Sequence, residues 1–354
     1  EMCIRDSLVR PVPFQVMVTH HDPVAALRQA IYYLDRELAP GQKVRAFQRA
    51  IDVVAGLPDG EVEARVAAGT LDELSGIGKS TGAVIEAAVR GEPSSYLADL
   101  ERRSTVPLGE GATLRAALRG DCHVHSTWSD GGASIADMAA AAQALGHEYL
   151  VMTDHSPRLT VAHGLSEARL AEQLDEIDAL NRELAPFRVL TGLEVDILVD
   201  GSLDLSDAML ERLDVVVASV HSKFRLPADE MTQRMVLAIA SPHVDILGHM
   251  TNRKVSGGGR PPSKFDADIV FAACARFGTA VEINCRPERQ DPPDELLDLA
   301  LDWDCMLAVN TDAHAPGQLE WQAFGCHKAA LHGVEPEQVI NTFCADDLLA
   351  WTVG

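Results

Sequence analysis

Asp121-Cys122-His123-Val124-His125-Ser126-Thr127-Trp128-Ser129-Asp130 is the stretch from which the fold can be read. Histidines two apart on a strand project to the same side, so His123 and His125 can reach one cation. Ser129-Asp130-Gly131 then turns the chain and sets a carboxylate to reach in from the following loop. One His-x-His is weak evidence, since core and surface histidines are common; recurrence gives it weight. Thr153-Asp154-His155, Gly192-Leu193-Glu194, Ser219-Val220-His221, Leu247-Gly248-His249 and Thr311-Asp312-Ala313-His314 each follow a short apolar run that reads as a strand. Packing gives no reason for metal-type side chains at the ends of several successive strands.

Working outward, strand-like runs at 122–125, 149–153, 188–194, 215–220, 245–248, 280–284 and 306–310 alternate with helical patterns at 134–145, 166–184, 230–240, 267–277 and 294–301. Seven β/α repeats predict an α/β fold with a parallel sheet, most simply closed as a barrel. The C-terminal strand ends, where the metal-type residues fall, carry the chemistry in such barrels.

The chain has 354 residues, enough for one large domain and a small one. No apolar run approaches the ~18–20 residues of a membrane helix, and with no signal peptide visible the cytoplasm is the expected compartment. Seven scattered cysteines lack C-x-x-C spacing, which argues against a disulfide framework or zinc knuckle. Residues 1–21, which do not begin with methionine and show no periodicity, read as a disordered or non-native leader. Charge is uneven: residues 1–120 carry 14 Lys and Arg against 16 Asp and Glu, whereas residues 121–354 carry 16 against 37. No broad basic surface advertises nucleic acid, so any polyanion must be held locally.

Ahead of the repeats, residues 22–39, 43–55 and 61–67 read as helices. Leu71-Asp72-Glu73-Leu74-Ser75-Gly76-Ile77-Gly78-Lys79-Ser80 then leads into another helix. Gly-Ile-Gly between helices lets backbone amides approach a phosphate, with a helix N-terminus behind them. This order of elements, with Tyr32-Tyr33, resembles the small helix-hairpin-helix domain of family X DNA polymerases. The resemblance implies a domain at 22–93 and DNA contact through Gly76, Gly78 and Lys79. Where lyase-competent relatives carry a nucleophilic lysine, six positions beyond the second glycine, this chain has Val84, so no Schiff base is expected. Residues 94–120 read as a polar linker with one short helical patch. They are too few for a polymerase palm, and polymerase activity is excluded.

From residue 121 to 354, the ordered set D-x-H-x-H-S-T-x-S-D-G, T-D-H-S, G-x-E-V-D, S-V-H-S, G-H and N-T-D-A-H resembles the polymerase-and-histidinol-phosphatase (PHP) family. It is closest to the branch attached to bacterial family X polymerases. The resemblance implies a distorted (β/α)7 barrel with three divalent ions, Mn²⁺, Zn²⁺ or Fe²⁺, a choice the imidazole and carboxylate donors leave open. His123, His125, Glu194 and Asp312 would hold one ion. Glu194 would bridge to a second, completed by His221 and His249. Asp130, His155 and His314 would hold the third. Glu194, Asp312 and His314 are expected nearest the chemistry. A water shared by two cations loses a proton near neutral pH and can attack phosphorus. Arg253, Arg289 and Lys223 are the expected phosphate contacts. Cys285 could approach the ions, but a packed thiol is the plainer reading, and His163 could line the mouth.

These features predict a metal-dependent phosphoesterase. The preceding hairpin domain favours DNA 3′ ends as substrate, by 3′–5′ exonuclease or 3′-phosphatase action. The acidic surface favours the alternative, a small-molecule phosphomonoesterase such as a histidinol-phosphate phosphatase. A DNA-end binding module with a structural barrel is the third reading, weakened by nine intact ligand positions.

Overall fold

The computed structural model describes residues 21–353; apart from His21, the expected leader lies outside them. Strands β1 (Gly120–Val124), β2 (Tyr149–Met152), β3 (Arg188–Asp196), β4 (Val215–Ser219), β5 (Ile246–Leu247), β6 (Ala280–Asn284) and β7 (Leu307–Asn310) form one sheet in sequence order. Every neighbouring pair is parallel. A parallel bridge between Val124 and Ala313 brings the first and last strands together, and His125 N donates to Ala313 O at 2.8 Å. Asn341 fills the other end of that seam. Its side chain accepts from Val309 N (2.7 Å) and donates to Asn310 Oδ1 (3.0 Å).

Helices α1 (Pro23–Arg36), α2 (Gly41–Ala55), α3 (Glu61–Ala68), α4 (Lys79–Arg90) and α5 (Ser95–Ser104) precede the barrel, followed by the short α6 (Ala112–Ala117). Helices α7 (Ile135–Ala144), α8 (Glu167–Leu184), α9 (Asp207–Leu210), α10 (Ala228–Ile239), α11 (Ala267–Phe277), α12 (Asp294–Asp302), α13 (Gln322–Leu331) and α14 (Ala345–Thr352) lie in the barrel segment. Residues i and i+2 of a strand share a face. On β3, β6 and β7 this sets apolar Leu190, Ala280 and Ala308 in line with polar Glu194, Glu282 and Asn310. The apolar members join Val151, Val217 and Ile246 in one buried cluster, so the barrel is apolar in one layer and polar towards its C-terminal end. Gly248 marks a close approach: a Cβ there would run into Ser219 Oγ on β4. That explains the glycine in Gly-His.

The segment 94–120 differs from the expected linker. Ser94 caps α5, accepting from Leu97 N (3.3 Å), and Leu100 is buried among α1–α4 residues. Leu114 of α6 is buried in the barrel's own core. Burial of these two leucines turns a polar-looking stretch into ordered helix. α1 also rests on the barrel: Arg36 Nη1 meets Glu320 at 2.5 Å, Tyr32 donates to Glu320 (2.6 Å), and Trp321 Nε1 donates to Arg36 O (3.0 Å). Arg36 is buried, held further by Ser104 Oγ (2.9 Å) and lying 4.9 Å from the Tyr33 ring centre.

Candidate metal centre

The nine expected ligands converge at the C-terminal strand ends. Glu194 on β3 is central and buried. His249 Nε2 lies 2.8 Å from it, His155 Nδ1 2.8 Å, His221 Nε2 3.2 Å, His123 Nε2 3.5 Å and His125 Nε2 3.6 Å. Asp312, in the loop after β7, is 3.5 Å from His125. Asp130 faces His314 Nε2 (3.3 Å) and His155 Nε2 (3.5 Å). Three sets offer ligand atoms within 4.8 Å of one another: His125, Asp130, His155 and His314; His123, His125 and Glu194; and His155, Glu194 and His221. His125 and His155 each belong to two sets, a tighter sharing than the expected partition.

Electrostatics keep the carboxylates charged. Burial opposes ionisation of Glu194, but His221, His123 and His155 outweigh it and hold the carboxyl well below its usual range. Asp312 is likewise held low against burial, chiefly by Arg289. His221 is pushed up to about 9, where the Glu194 and Asp196 carboxylates overcome its burial. Meanwhile His123 Nε2, both nitrogens of His125 and of His221, and His249 Nδ1 are buried without a hydrogen bond. Orphaned imidazole nitrogens around ionised carboxylates are a donor set that fits divalent cations, since a buried polar atom without a partner is otherwise costly.

A supporting layer was not foreseen from sequence. Glu282 on β6 accepts from His123 Nδ1 (2.6 Å), His249 N (2.7 Å), Asn310 Nδ2 (3.0 Å) and Asn284 Nδ2 (3.1 Å). Asp154 clamps the turn that carries Asp130, accepting from Ser126 N (2.9 Å), Ser126 Oγ (2.7 Å) and Gln173 Nε2 (2.6 Å). Asp196 accepts from His221 N (3.0 Å). Arg286 Nη1 donates to Asp312 O (2.8 Å), and its guanidinium lies 5.6 Å from the Trp321 ring centre. A carboxylate between apolar Val281 and Ile283, on a strand's inner face, was the available signal for Glu282.

The three expected phosphate contacts divide. Arg289 Nε lies 3.1 Å from Asp312, and its Nε and Nη1 are buried without a hydrogen bond beside the cluster. Arg253 instead donates through Nε to Arg289 O (3.0 Å) and through Nη2 to Gln290 O, so those donors brace the loop that carries Arg289. Lys223 is exposed on the rim. Cys285 is buried against Gly325, with Sγ towards Ile283 O (3.5 Å). His163 is exposed beyond β2. Left-handed backbone occurs at Lys223, Asn252, Gln290 and Asp312, in the loops after β4, β5, β6 and β7. In the helical segment Gly76, at φ +97°, makes the turn into α4, and Gly76, Gly78 and Lys79 are exposed. Val84 is fully buried in that segment's core.

A parallel barrel with imidazoles and carboxylates gathered at its strand ends is an arrangement suited to divalent cations, and the comparisons with known proteins place it among metal-dependent phosphoesterases. The family model described as the PHP domain matches residues 121–285, and the chain belongs to the PHP family. A Bacillus subtilis protein named DNA polymerase/3'-5' exonuclease PolX is 41% identical over 234 residues, covering 66% of this chain and 41% of that protein. The chain thus spans less than half of that relative's length. A Thermoanaerobacter protein named a probable phosphatase is 30% identical over 237 residues, covering 63% of this chain and 89% of that protein. The histidinol phosphate phosphatase of Lactococcus lactis, solved with zinc, L-histidinol and phosphate, aligns with a TM-score of 0.45 and 20% identity. It covers 60% of this chain and 92% of that one.

Proposed function

We propose that this phosphoesterase acts at DNA 3′ ends, removing a terminal nucleotide or a 3′-phosphate, with up to three divalent ions held by the nine ligands. One observation carries the choice of DNA. A helical segment whose hairpin exposes Gly76, Gly78 and Lys79 around a buried Ile77 is fastened through Arg36 to Glu320, six residues beyond His314. A hairpin fixed to the barrel can hold a strand while its end lies at the cluster, which a free small molecule does not require. The greater identity to the polymerase/exonuclease supports the same reading.

Bound divalent ions would supply Lewis acidity, activating water and neutralising charge on the departing oxygen. The chain's own residues do the rest. Glu282 fixes the ring of His123, and Asp154 fixes the turn that carries Asp130. Arg289, whose Nε faces Asp312 and whose buried Nη1 has no hydrogen-bond partner, binds a non-bridging phosphate oxygen. Asp130 and His314, more open than Glu194, form the side on which substrate enters.

The acidic barrel favours the second reading, a small-molecule phosphomonoesterase, as does the relative named a probable phosphatase. A turnover panel with Mn²⁺ at low salt separates the two. Single-stranded DNA or 3′-phosphorylated DNA should be turned over more efficiently than histidinol phosphate. The DNA reading is wrong when histidinol phosphate is turned over and neither DNA is bound nor degraded.

A further inference from the structure

Lys223, Phe224 and Arg225 face Arg260, Pro261 and Pro262 across a cavity of about 350 Å³. That size is at the lower end for small-ligand sites, suited to one nucleoside rather than a longer segment. Chain connectivity sets it beside the cluster. Lys223 is two residues beyond His221, and Arg260 Nε donates to the carbonyl of Asn252 (2.5 Å), three residues beyond His249. The Arg260 guanidinium lies over the Phe224 ring, 4.1 Å from its centre. Both Lys223 and Asn252 hold φ near +56°, a conformation that costs energy for a residue with a Cβ and persists where surroundings impose it.

The chemistry of the walls selects the occupant. A guanidinium plane on an aromatic ring, flanked by two rigid prolines, offers flat surfaces on which any base can stack. Lys223 and Arg225 add positive charge on a barrel that is otherwise strongly acidic. A second cavity of about 420 Å³ also borders Lys223, but its wall sets Asp196 and Asp200 beside Arg158 and Lys223 and carries no aromatic ring. Two carboxylates there offset the two cations and no flat face is offered to a base, whereas the first cavity has three cations and no carboxylate, so the first is the one that suits nucleic acid.

We infer that the Phe224–Arg260 pocket is the subsite for the base of the 3′-terminal nucleotide, stacked there while its phosphate faces the cluster. The inference rests on the DNA-end reading and names the residues that would grip the departing nucleotide.

The test uses the full chain with Mn²⁺ and two diesters, thymidine 5′-(4-nitrophenyl) phosphate and methyl 4-nitrophenyl phosphate. In each, water adds to phosphorus, the bond to 4-nitrophenolate breaks, and one proton goes to solvent. The protein should favour the thymidine ester at least tenfold in kcat/KM, mainly through KM. Phe224→Leu keeps apolar volume but loses the flat face, and Arg260→Gln loses the planar cation. Each should cut that preference fivefold or more, in line with the usual contribution of one stacked base. Titration calorimetry should show matching weakening for thymidine 5′-monophosphate and none for inorganic phosphate. A preference that survives both variants overturns the inference. So does an equal fall for both esters with loss of bound metal, since the pair would then act on the cluster. Absence of any preference in the unaltered protein overturns it too, whereas failure on single-stranded DNA with turnover of histidinol phosphate removes the DNA-end reading itself.

Discussion

Glu282→Gln tests whether the centre is built as described, because the change keeps shape and alters one atom. Oε1 of Glu282 serves His123 Nδ1 and Asn310, while Oε2 serves His249 N and Asn284. An amide has a single acceptor oxygen. If it stays with His249 N, the new NH2 points at His123 Nδ1, which must then accept. The ring proton moves to Nε2, the atom that faces Glu194, and that nitrogen no longer has a lone pair for a cation. If the oxygen stays with His123, His249 N and Asn284 confront the NH2 and the β5 loop shifts. Either outcome misplaces one imidazole ligand. Loss of such an orienting partner weakens metal binding by about 10- to 100-fold, or roughly 1.4–2.7 kcal/mol. Competition with a fluorescent chelator for Mn²⁺ or Zn²⁺ reads this directly, with circular dichroism confirming an intact fold. A folded variant whose affinity changes less than twofold would show that Glu282 does not set the His123 tautomer.

Three further outcomes are expected. Glu320→Ala removes the partner of the buried Arg36 and should cost about 2–3 kcal/mol, less than a fully buried pair because Glu320 is 22% exposed. Hydrogen exchange should localise the loss to α1, and pairing the change with Arg36→Met should recover part of it; uniform exchange across the chain would speak against docking by this pair. Asp245 is pushed up to about 7 by burial, against a single opposing hydrogen bond from Val216 N. A folded carboxyl raised above its unfolded value contributes stability that is complete below about pH 4 and is lost as pH rises towards 7. The nominal loss of about 4 kcal/mol is roughly halved by Asp245's partial solvent contact. Asp245→Asn should therefore flatten the pH dependence of Tm across that window and raise Tm at pH 7.5, and an unaltered slope would contradict the assignment. With Val84 sealed in the core, borohydride should trap no adduct on abasic-site DNA; an adduct would point to another lysine, with Lys79 the first to examine.

Much of the barrel was legible because its strands are short apolar runs closed by chemistry-bearing residues. β6 runs over the expected residues 280–284, and α11 over 267–277. β5 was harder: four residues were expected and two pair as strand, since Gly248 lies against Ser219 and the chain then turns to present His249. α13 and α14 went unread: both follow the last strand, outside the strand–helix alternation used to place the others, and neither opens with a side-chain cap. α5 and α6 were taken for linker because each buries few apolar residues, and the partners of those residues are distant in sequence. The nine expected ligand positions, which the structure brings together, stood out through their spacing. Glu282, Asp154 and Arg286 did not, because a buried group one layer out is recognised by what it touches, and no sequence period records that. Arg253 looked equivalent to Arg289 for the same reason, and only the geometry divides loop brace from site cation.

The left-handed residues after four successive strands have a consequence for engineering. Whereas Asp312→Gly would strand the buried Arg289 without its partner, glycine at the exposed Lys223 and Gln290 would adopt those backbone angles without steric cost, and Lys223→Gly or Gln290→Gly would each relieve up to about 1–2 kcal/mol of strain. Selection for heat resistance alone would drift towards glycine there and strip the rim of its side chains. A thermostability screen on this barrel therefore needs a paired activity screen, because the positions where stability is most cheaply gained are those where the site would be erased.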